Sequence, residues 1–220
     1  MIIEKSKRSR WIQLFWAALF FIVILTFIWH DYDPARRRLF YILSLSLMIV
    51  INYFYDEGFN KVGLWPDNFK KPFLEYWKIL AGLSVLILFL GFLFGTARYS
   101  DPLAMIKGLV VCLLWGLFQQ YLLNGFFVNR LAGFFENDKD PIIPLIAASL
   151  FTLAHLPNWF LMIITFFGGL ACAKIFLKYE NDRNLYFLGL AHALISFSFY
   201  IFTPDSIGNH FDVGIKYFAN

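Results

Sequence analysis

The chain has 220 residues, of which 60% are hydrophobic, 21% aromatic and 15% charged, and its formal net charge is +4. A soluble domain carries about 25% charged residues, so this chain has too few to cover a surface that faces water. Its basic residues cluster at the ends of apolar runs. That pattern argues against nucleic-acid binding and predicts an integral membrane protein in a lipid bilayer.

Seven apolar segments approach the roughly 20 residues that a helix needs to cross a bilayer. They cover residues 11–29, 39–55, 76–95, 108–128, 142–156, 159–177 and 185–202. The first lacks a small-residue cleavage site, so we expect a retained span and not a signal peptide. The fifth and sixth are joined by Leu156-Pro157-Asn158, which predicts a tight hairpin or one helix broken at Pro157. The sequence therefore predicts an all-α, polytopic membrane protein of about seven transmembrane helices.

Lysine and arginine are more frequent on the side of the N-terminus, despite the run Arg36-Arg37-Arg38 on the opposite side. The positive-inside rule therefore places the N-terminus in the cytoplasm. The tail after Thr203 mixes apolar and polar residues and is predicted to lie at the membrane interface.

Polar clusters interrupt three of the apolar segments in the second half of the chain. They contain Gln119, Gln120 and Asn124, then Phe151 and His155, then His192 and Ser196. Gln120 and Asn124 share one helix face, as do His192 and Ser196, because residues four apart are neighbours on a helix. A polar side chain in lipid needs a partner, so we expect adjacent helices to bring the clusters together in a central polar cavity. The alternative is that the amides only cross-link helices.

Several kinds of chemistry are disfavoured by what the predicted spans lack. No carboxylate falls in the middle of a span, which removes a buried acid pair and the usual general base. We expect no cofactor: zinc held by His155 and His192 is disfavoured, because zinc needs three or four protein ligands and Cys112 and Cys172 lie far from both histidines in sequence. A serine hydrolase lacks its Gly-x-Ser-x-Gly turn, and a transporter lacks an inverted repeat.

The order and spacing of the three clusters resemble the CPBP family of intramembrane endopeptidases, which includes type II CAAX prenyl proteases and bacteriocin-processing or immunity (Abi) proteins. The family pattern is Glu-Glu-x-x-x-Arg, then Phe-x-x-x-His, then His-x-x-x-Asn or a variant. Phe151 and His155 match the second motif, while His192 begins the third with Ser196 in its last place. The resemblance covers roughly residues 103–202. It implies N-terminal helices over 1–100, a core over 101–202 and an interfacial tail over 203–220, all in one membrane domain.

The first motif departs from the family, since Gln119 and Gln120 replace the two glutamates and Asn124 replaces the arginine. In active members the first glutamate is held to activate a water, which a glutamine amide cannot do. The resemblance implies a peptidase-type protein that acts on a hydrophobic or prenylated peptide or membrane protein, with its catalytic glutamate replaced. The alternatives are a pseudoprotease that binds hydrophobic or lipidated peptides without cutting them, and a structural membrane protein.

Overall fold

Helices make up all of the regular secondary structure in the described part of the chain. The computed structural model describes residues 2–30, 33–55, 59–94, 101–137, 139–179, 182–202 and 212–218. The α-helices are α1 (Ile2–Ile28), α2 (Pro34–Tyr55), α3 (Phe59–Val62), α4 (Lys70–Phe94), α5 (Pro102–Gln120), α6 (Asn129–Phe135), α7 (Ile142–Leu153), α8 (Trp159–Lys178) and α9 (Leu185–Phe202). A π-helical segment, Tyr121–Val128, joins α5 to α6, and short 3-10 helices cover Pro66–Phe69 and Gly214–Phe218. The predicted all-α class is confirmed.

Four helical stretches are long and apolar enough to cross a membrane: Arg10–Ile28, Pro66–Phe94, Pro102–Phe135 and Trp159–Lys178. Three shorter apolar helices, Leu39–Phe54, Ile142–Leu153 and Leu185–Ile201, complete a set of seven. On α4 the large apolar side chains of Phe89, Phe92 and Phe94 are exposed, as is expected where a helix faces lipid and not water. The prediction of a polytopic membrane protein with about seven apolar helices is confirmed.

Local sequence sets where the helices that carry the polar clusters begin and end. The Asp101 side chain accepts a hydrogen bond from the Leu103 amide, and Pro102 occupies the first position of α5, an arrangement that favours a helix start. The Asn158 side chain caps α8 in the same way through the Leu161 amide. Between α7 and α8 the chain turns over residues 154–157, and the two helices pack against each other. Of the two arrangements predicted for this region, the structure shows the hairpin.

The π-helical segment lies at the centre of the bundle. Seven of its eight residues are buried, and it contacts α2, α7, α8 and α9 as well as the helices that it joins. Phe126 is completely buried there and meets Phe20 of α1 edge to face, with ring centroids 5.0 Å apart. The π-helical segment is therefore the part of the chain that these helices pack around.

The predicted orientation and the predicted division into 1–100, 101–202 and 203–220 stay predictions. Most of the predicted interfacial tail, residues 203–211 and 219–220, lies outside the described residues. The remainder, 212–218, packs against two other parts of the chain. The amide of Gly214 donates to the carbonyl of Leu156, N···O 2.7 Å, and the ring of Phe218 lies 6.4 Å from that of Trp29.

Candidate functional site

Helices α5 and α9 cross with their backbones in close contact, at a pair of glycines. A Cβ atom added to Gly116 would lie 2.8 Å from the carbonyl oxygen of Gly189, and one added to Gly189 would lie 2.9 Å from Cα of Leu117. Only glycine fits such a crossing, as is common where membrane helices pack closely. One helical turn beyond this crossing, Gln120 of α5 lies opposite His192 of α9.

Gln120, Asn124 and His192 form one chain of hydrogen bonds. The Gln120 side-chain oxygen accepts from Nδ2 of Asn124 at 2.6 Å, so its Nε2 is left to meet Nδ1 of His192 at 3.0 Å. An amide nitrogen can only donate, which means that Nδ1 of His192 accepts and the imidazole is neutral. Gln120 and Asn124 are both almost fully buried. Gln120 and Asn124, which the sequence placed on one helix face, are thus hydrogen-bonded to each other.

A second set of hydrogen bonds holds the π-helical turn that follows α5 and carries Asn124. The carbonyl of Gly125 accepts hydrogen bonds from Nδ2 of Asn52, at 2.8 Å, and from Nδ2 of Asn129, at 3.0 Å. Asn52 also donates to the hydroxyl of Tyr121 at 2.9 Å. A π-helical turn directs carbonyls away from the usual i+4 amides, and here an asparagine from α2 uses one. Asn52 is buried and fixes the segment that carries Asn124.

Gln119 points into a different environment from Gln120. It lines a cavity of ≈ 140 Å³ between α1, α2, α5, the π-helical segment and α7. His155 lines the same cavity, so the structure brings the first residue of the first cluster and the histidine of the second cluster to one space. The other lining residues are Phe21, Ile24, Phe27, Ile28, Phe40, Tyr41, Ser44, Leu45, Met48, Trp115, Phe118, Leu122, Leu123, Phe127, Leu150, Phe151, Ala154 and Val213.

A hydrogen bond to the last turn of α7 orients the imidazole of His155. Its Nδ1 lies 2.7 Å from the carbonyl oxygen of Phe151, and because a carbonyl can only accept, Nδ1 carries the proton. In the neutral imidazole, Nε2 therefore keeps its lone pair. The Phe151 ring lies between the two histidines, with centroid distances of 4.8 Å to His155 and 6.3 Å to His192. The predicted convergence of the second and third clusters on the first is thus seen in the structure.

Ser196 is half-buried on α9, one turn after His192. The hydrogen bonds that join Gln120, Asn124 and His192 do not include it, and it does not line the cavity. Of the six predicted residues, Gln120, Asn124 and His192 therefore form a hydrogen-bonded chain. Gln119 and His155 line the cavity, and Ser196 belongs to neither group. A catalytic role for any of them stays a prediction.

Carboxylates are absent from the described residues that line the cavity. Glu75, near the start of α4, is engaged elsewhere, with the ammonium of Lys178 and the hydroxyl of Tyr179. Among the described residues there is also no group of three or more His, Cys, Asp or Glu side chains that could hold a metal ion. The polar side chains among the described lining residues are thus those of Gln119 and His155, together with Tyr41, Ser44 and Trp115.

Residues 101–198 match the model of the Rce1-like family, described as type II CAAX prenyl endopeptidase Rce1-like. The matched region is similar to these endopeptidases. It runs from the cap of α5 to Ser198 on α9 and so contains all three polar clusters, which confirms the predicted resemblance to the CPBP and CAAX protease family. No curated protein and no solved structure matches the chain. The apolar helices support an integral membrane protein, and its matched region is similar to CPBP-type intramembrane peptidases.

Two buried arginines in or beside this Rce1-like region were missed from the sequence. Arg130 is completely buried; its Nη1 donates to the side-chain oxygen of Gln13 at 2.6 Å, which ties α6 to α1. Arg183, just before α9, donates to the Asn129 side-chain oxygen at 2.7 Å and stacks over the Phe176 ring at 5.0 Å. Both stand near ends of apolar runs, where a basic residue ordinarily faces the lipid headgroups. Nothing in their spacing separates them from such residues.

Proposed function

We propose that the chain is an intramembrane peptidase-type protein that takes a hydrophobic or prenylated peptide segment into the cavity beside Gln119 and His155. One observation carries the proposal: these two side chains, which come from two separate motifs of the matched region, line the same apolar cavity. Closed apolar spaces with a few convergent polar groups are the usual form of a ligand site. The ligand would enter from the bilayer, because the helices around the cavity face lipid.

The proposed chemistry differs from that of the family at the general base. Gln119 stands where the first glutamate would be, and a neutral amide cannot take a proton from water. Nε2 of His155 has a lone pair, since Nδ1 donates to Phe151. In the proposed step the water gives one proton to Nε2 of His155 while its oxygen bonds to the substrate carbonyl carbon and the carbonyl π electrons move to the carbonyl oxygen. When this intermediate collapses, the C=O bond forms again, the peptide C–N bond breaks, and the leaving nitrogen takes the proton from Nε2 of His155, which releases an amine and a carboxylic acid. The Gln119 amide orients the water by hydrogen bonding.

Peptide cleavage by purified protein in liposomes tests this proposal. The substrates are apolar peptides, plain and prenylated, and the comparison is between the native protein and His155→Ala. We expect cleavage that is lost in His155→Ala, because general-base help contributes about 10²–10⁴ in rate. His30→Ala is the matched control, since His30 is an exposed histidine beyond α1 that lies near the Thr26 carbonyl. Cleavage by His155→Ala at the native rate contradicts the proposal.

A second candidate is a pseudoprotease that binds the same peptides without cutting them. The neutral chain of Gln120, Asn124 and His192 favours it, because the family's charged pair is replaced by neutral groups that hydrogen-bond to one another. In the same assay this candidate predicts saturable peptide binding with no product in the native protein. Turnover that depends on His155 rules it out.

A further inference from the structure

We infer that the cavity accepts a single apolar side chain of a peptide, about as large as a phenyl ring or a branched aliphatic group, and excludes a whole prenyl chain. This inference rests on the proposed function and narrows its substrate class. It draws on the size of the cavity, on what closes it and on the polar group in its wall.

The volume of the cavity limits its occupant. At ≈ 140 Å³ it is close to the roughly 150 Å³ apolar cavity that holds one benzene molecule in an engineered protein. A leucine or phenylalanine side chain is of that size. A farnesyl chain, which is three isoprene units long, is several times larger and would have to displace the surrounding helices. Packed interiors resist such displacement, since even a few methylenes added to a well-packed core force side chains and backbone to shift.

The walls of the cavity are fixed by contacts between helices. Phe27 of α1 and Phe40 of α2 stack with centroids 4.3 Å apart and planes 7° from parallel, and Tyr41 meets Phe27 edge to face at 4.8 Å. Phe27 is itself buried. A wall of interlocked rings has little freedom to open for a longer chain.

Part of the wall is supplied by the C-terminal segment 212–218. Val213 lines the cavity, and its neighbours on both sides are anchored to the α7–α8 turn. The Gly214 amide donates to the Leu156 carbonyl at 2.7 Å, and Nδ2 of Asn158 donates to the Asp212 carbonyl at 3.3 Å. These bonds keep Val213 in place as part of the cavity wall.

The polar lining suits a peptide better than a hydrocarbon. The amide of Gln119 has both donors and acceptors, and a buried amide that loses water without a new partner costs free energy. The N–H or C=O of the peptide backbone beside an inserted side chain can pair with it. A prenyl chain has no such group. The cavity thus matches one apolar side chain together with its own peptide bond.

Photo-crosslinking in liposomes tests the inference without relying on catalysis. The probe is a synthetic apolar peptide with photo-leucine at its central position, and the crosslinked residues are read by mass spectrometry. We expect crosslinks to α2 and α5 at the cavity. Unlabelled peptides with Leu or Phe at the same position should compete at concentrations several-fold lower than the Ala peptide, and a farnesylated version of the Ala peptide should compete no better than its parent.

Three variants of α2 make the comparison specific. Ser44→Phe fills the cavity from its lining and should abolish the crosslinks, whereas Ser46→Phe makes the same change at an exposed position and should leave them. Leu45→Ala enlarges the cavity and should shift the preference towards Trp peptides. That variant keeps the test decisive if Ser44→Phe does not fold.

Tighter competition by the farnesylated peptide, lost in Ser44→Phe, would overturn the inference, because the cavity would then hold the prenyl chain. Competition that ignores side-chain size would overturn it too. The same experiments distinguish this inference from the proposed function. Crosslinking whose competition follows side-chain size, without any cleavage, supports the inference and rejects the proposed enzyme. Cleavage without such a dependence on side-chain size supports the enzyme and rejects the inference.

Discussion

Nε2 of Gln120 on α5 lies 3.0 Å from Nδ1 of His192 on α9. This contact joins the first and third polar clusters without any charge. It is possible because Gln120 gives its oxygen to Asn124 and has only a donor to offer the imidazole. In a buried site, a neutral network of this kind avoids the desolvation penalty of paired charges.

The glycine crossing between α5 and α9 is predicted to hold this contact in place. Gly116→Ala puts a methyl group 2.8 Å from the Gly189 carbonyl oxygen, so the helices must separate, and we expect a loss of about 1–3 kcal/mol in the free energy of unfolding. Gly168→Ala is the control, because an added Cβ there meets nothing within 4 Å; it should be neutral or stabilising by up to about 1 kcal/mol. Unfolding titrations in mixed micelles measure both. Equal effects of the two variants would show that the crossing is not tight.

Asn52 is predicted to stabilise the π-helical segment. Asn52→Leu removes its bonds to the Gly125 carbonyl and the Tyr121 hydroxyl. Since an interhelical hydrogen bond in a membrane protein contributes about 0.6 kcal/mol, we expect a loss of roughly 1 kcal/mol in the free energy of unfolding. Tyr121→Phe removes only one of the two bonds and should cost about half as much. If Tyr121→Phe is the more damaging variant, the assigned bond to Gly125 is wrong.

Gln13 is predicted to hold α1 against the core through Arg130. Gln13→Leu removes the acceptor of a charged donor, and hydrogen bonds to charged groups contribute about 1.5–3 kcal/mol. We expect a fall of that size in stability, measured by the same unfolding titrations. Gln13→Glu keeps an acceptor and adds a charge opposite to that of Arg130, so it should retain most of the native stability. A large loss in Gln13→Glu as well would mean that the shape of the glutamine and not its acceptor is what matters.

Stability is predicted to depend on pH through Asp33, at the start of α2. The pKa of its carboxyl lies below the ordinary value of 3.8, mainly because Oδ1 accepts the backbone N–H of Arg36 and also that of Ala35. A lowered pKa stabilises the fold above that ordinary value, and the contribution is lost as the pH falls through the folded-state pKa. The melting temperature of the native protein should therefore exceed that of Asp33→Asn at pH 7, and the difference should shrink near pH 3. A difference that is constant with pH contradicts this account.

Much of the fold could be predicted from the sequence because a membrane-spanning helix needs an apolar segment of about 20 residues, and such segments are visible in the sequence. The hairpin at Leu156-Pro157-Asn158 was one of two forms predicted there, and a turn of so few residues leaves α7 and α8 little choice but to pack together. The predicted fifth span, 142–156, ran past the observed end of α7 at Leu153. Residues 154–157 form a turn before Asn158, which begins the next helix as its cap.

The arrangement of the site could be predicted only in part. The i, i+4 relation of Gln120 and Asn124 follows from helical geometry. The separation of Gln119 from Gln120 follows from their angle around the helix axis, but which neighbour each one meets depends on the π-helical turn, and single sequences carry no reliable sign of such a turn. Asn52 is a polar residue inside the predicted span 39–55, and a polar side chain in lipid needs a partner, so its position indicates a buried contact.

The central claim is that the cavity is a peptidase-type cavity in which Gln119 stands in place of the general base. The most direct measurement is the single-turnover cleavage rate of an apolar peptide by Gln119→Glu in liposomes, beside the native protein and Gln120→Glu. We predict a gain of about 10²–10⁴ in Gln119→Glu and none in Gln120→Glu, because Gln119 lines the cavity while Gln120 faces His192. A folded Gln119→Glu variant that cleaves no faster than the native protein would contradict the claim.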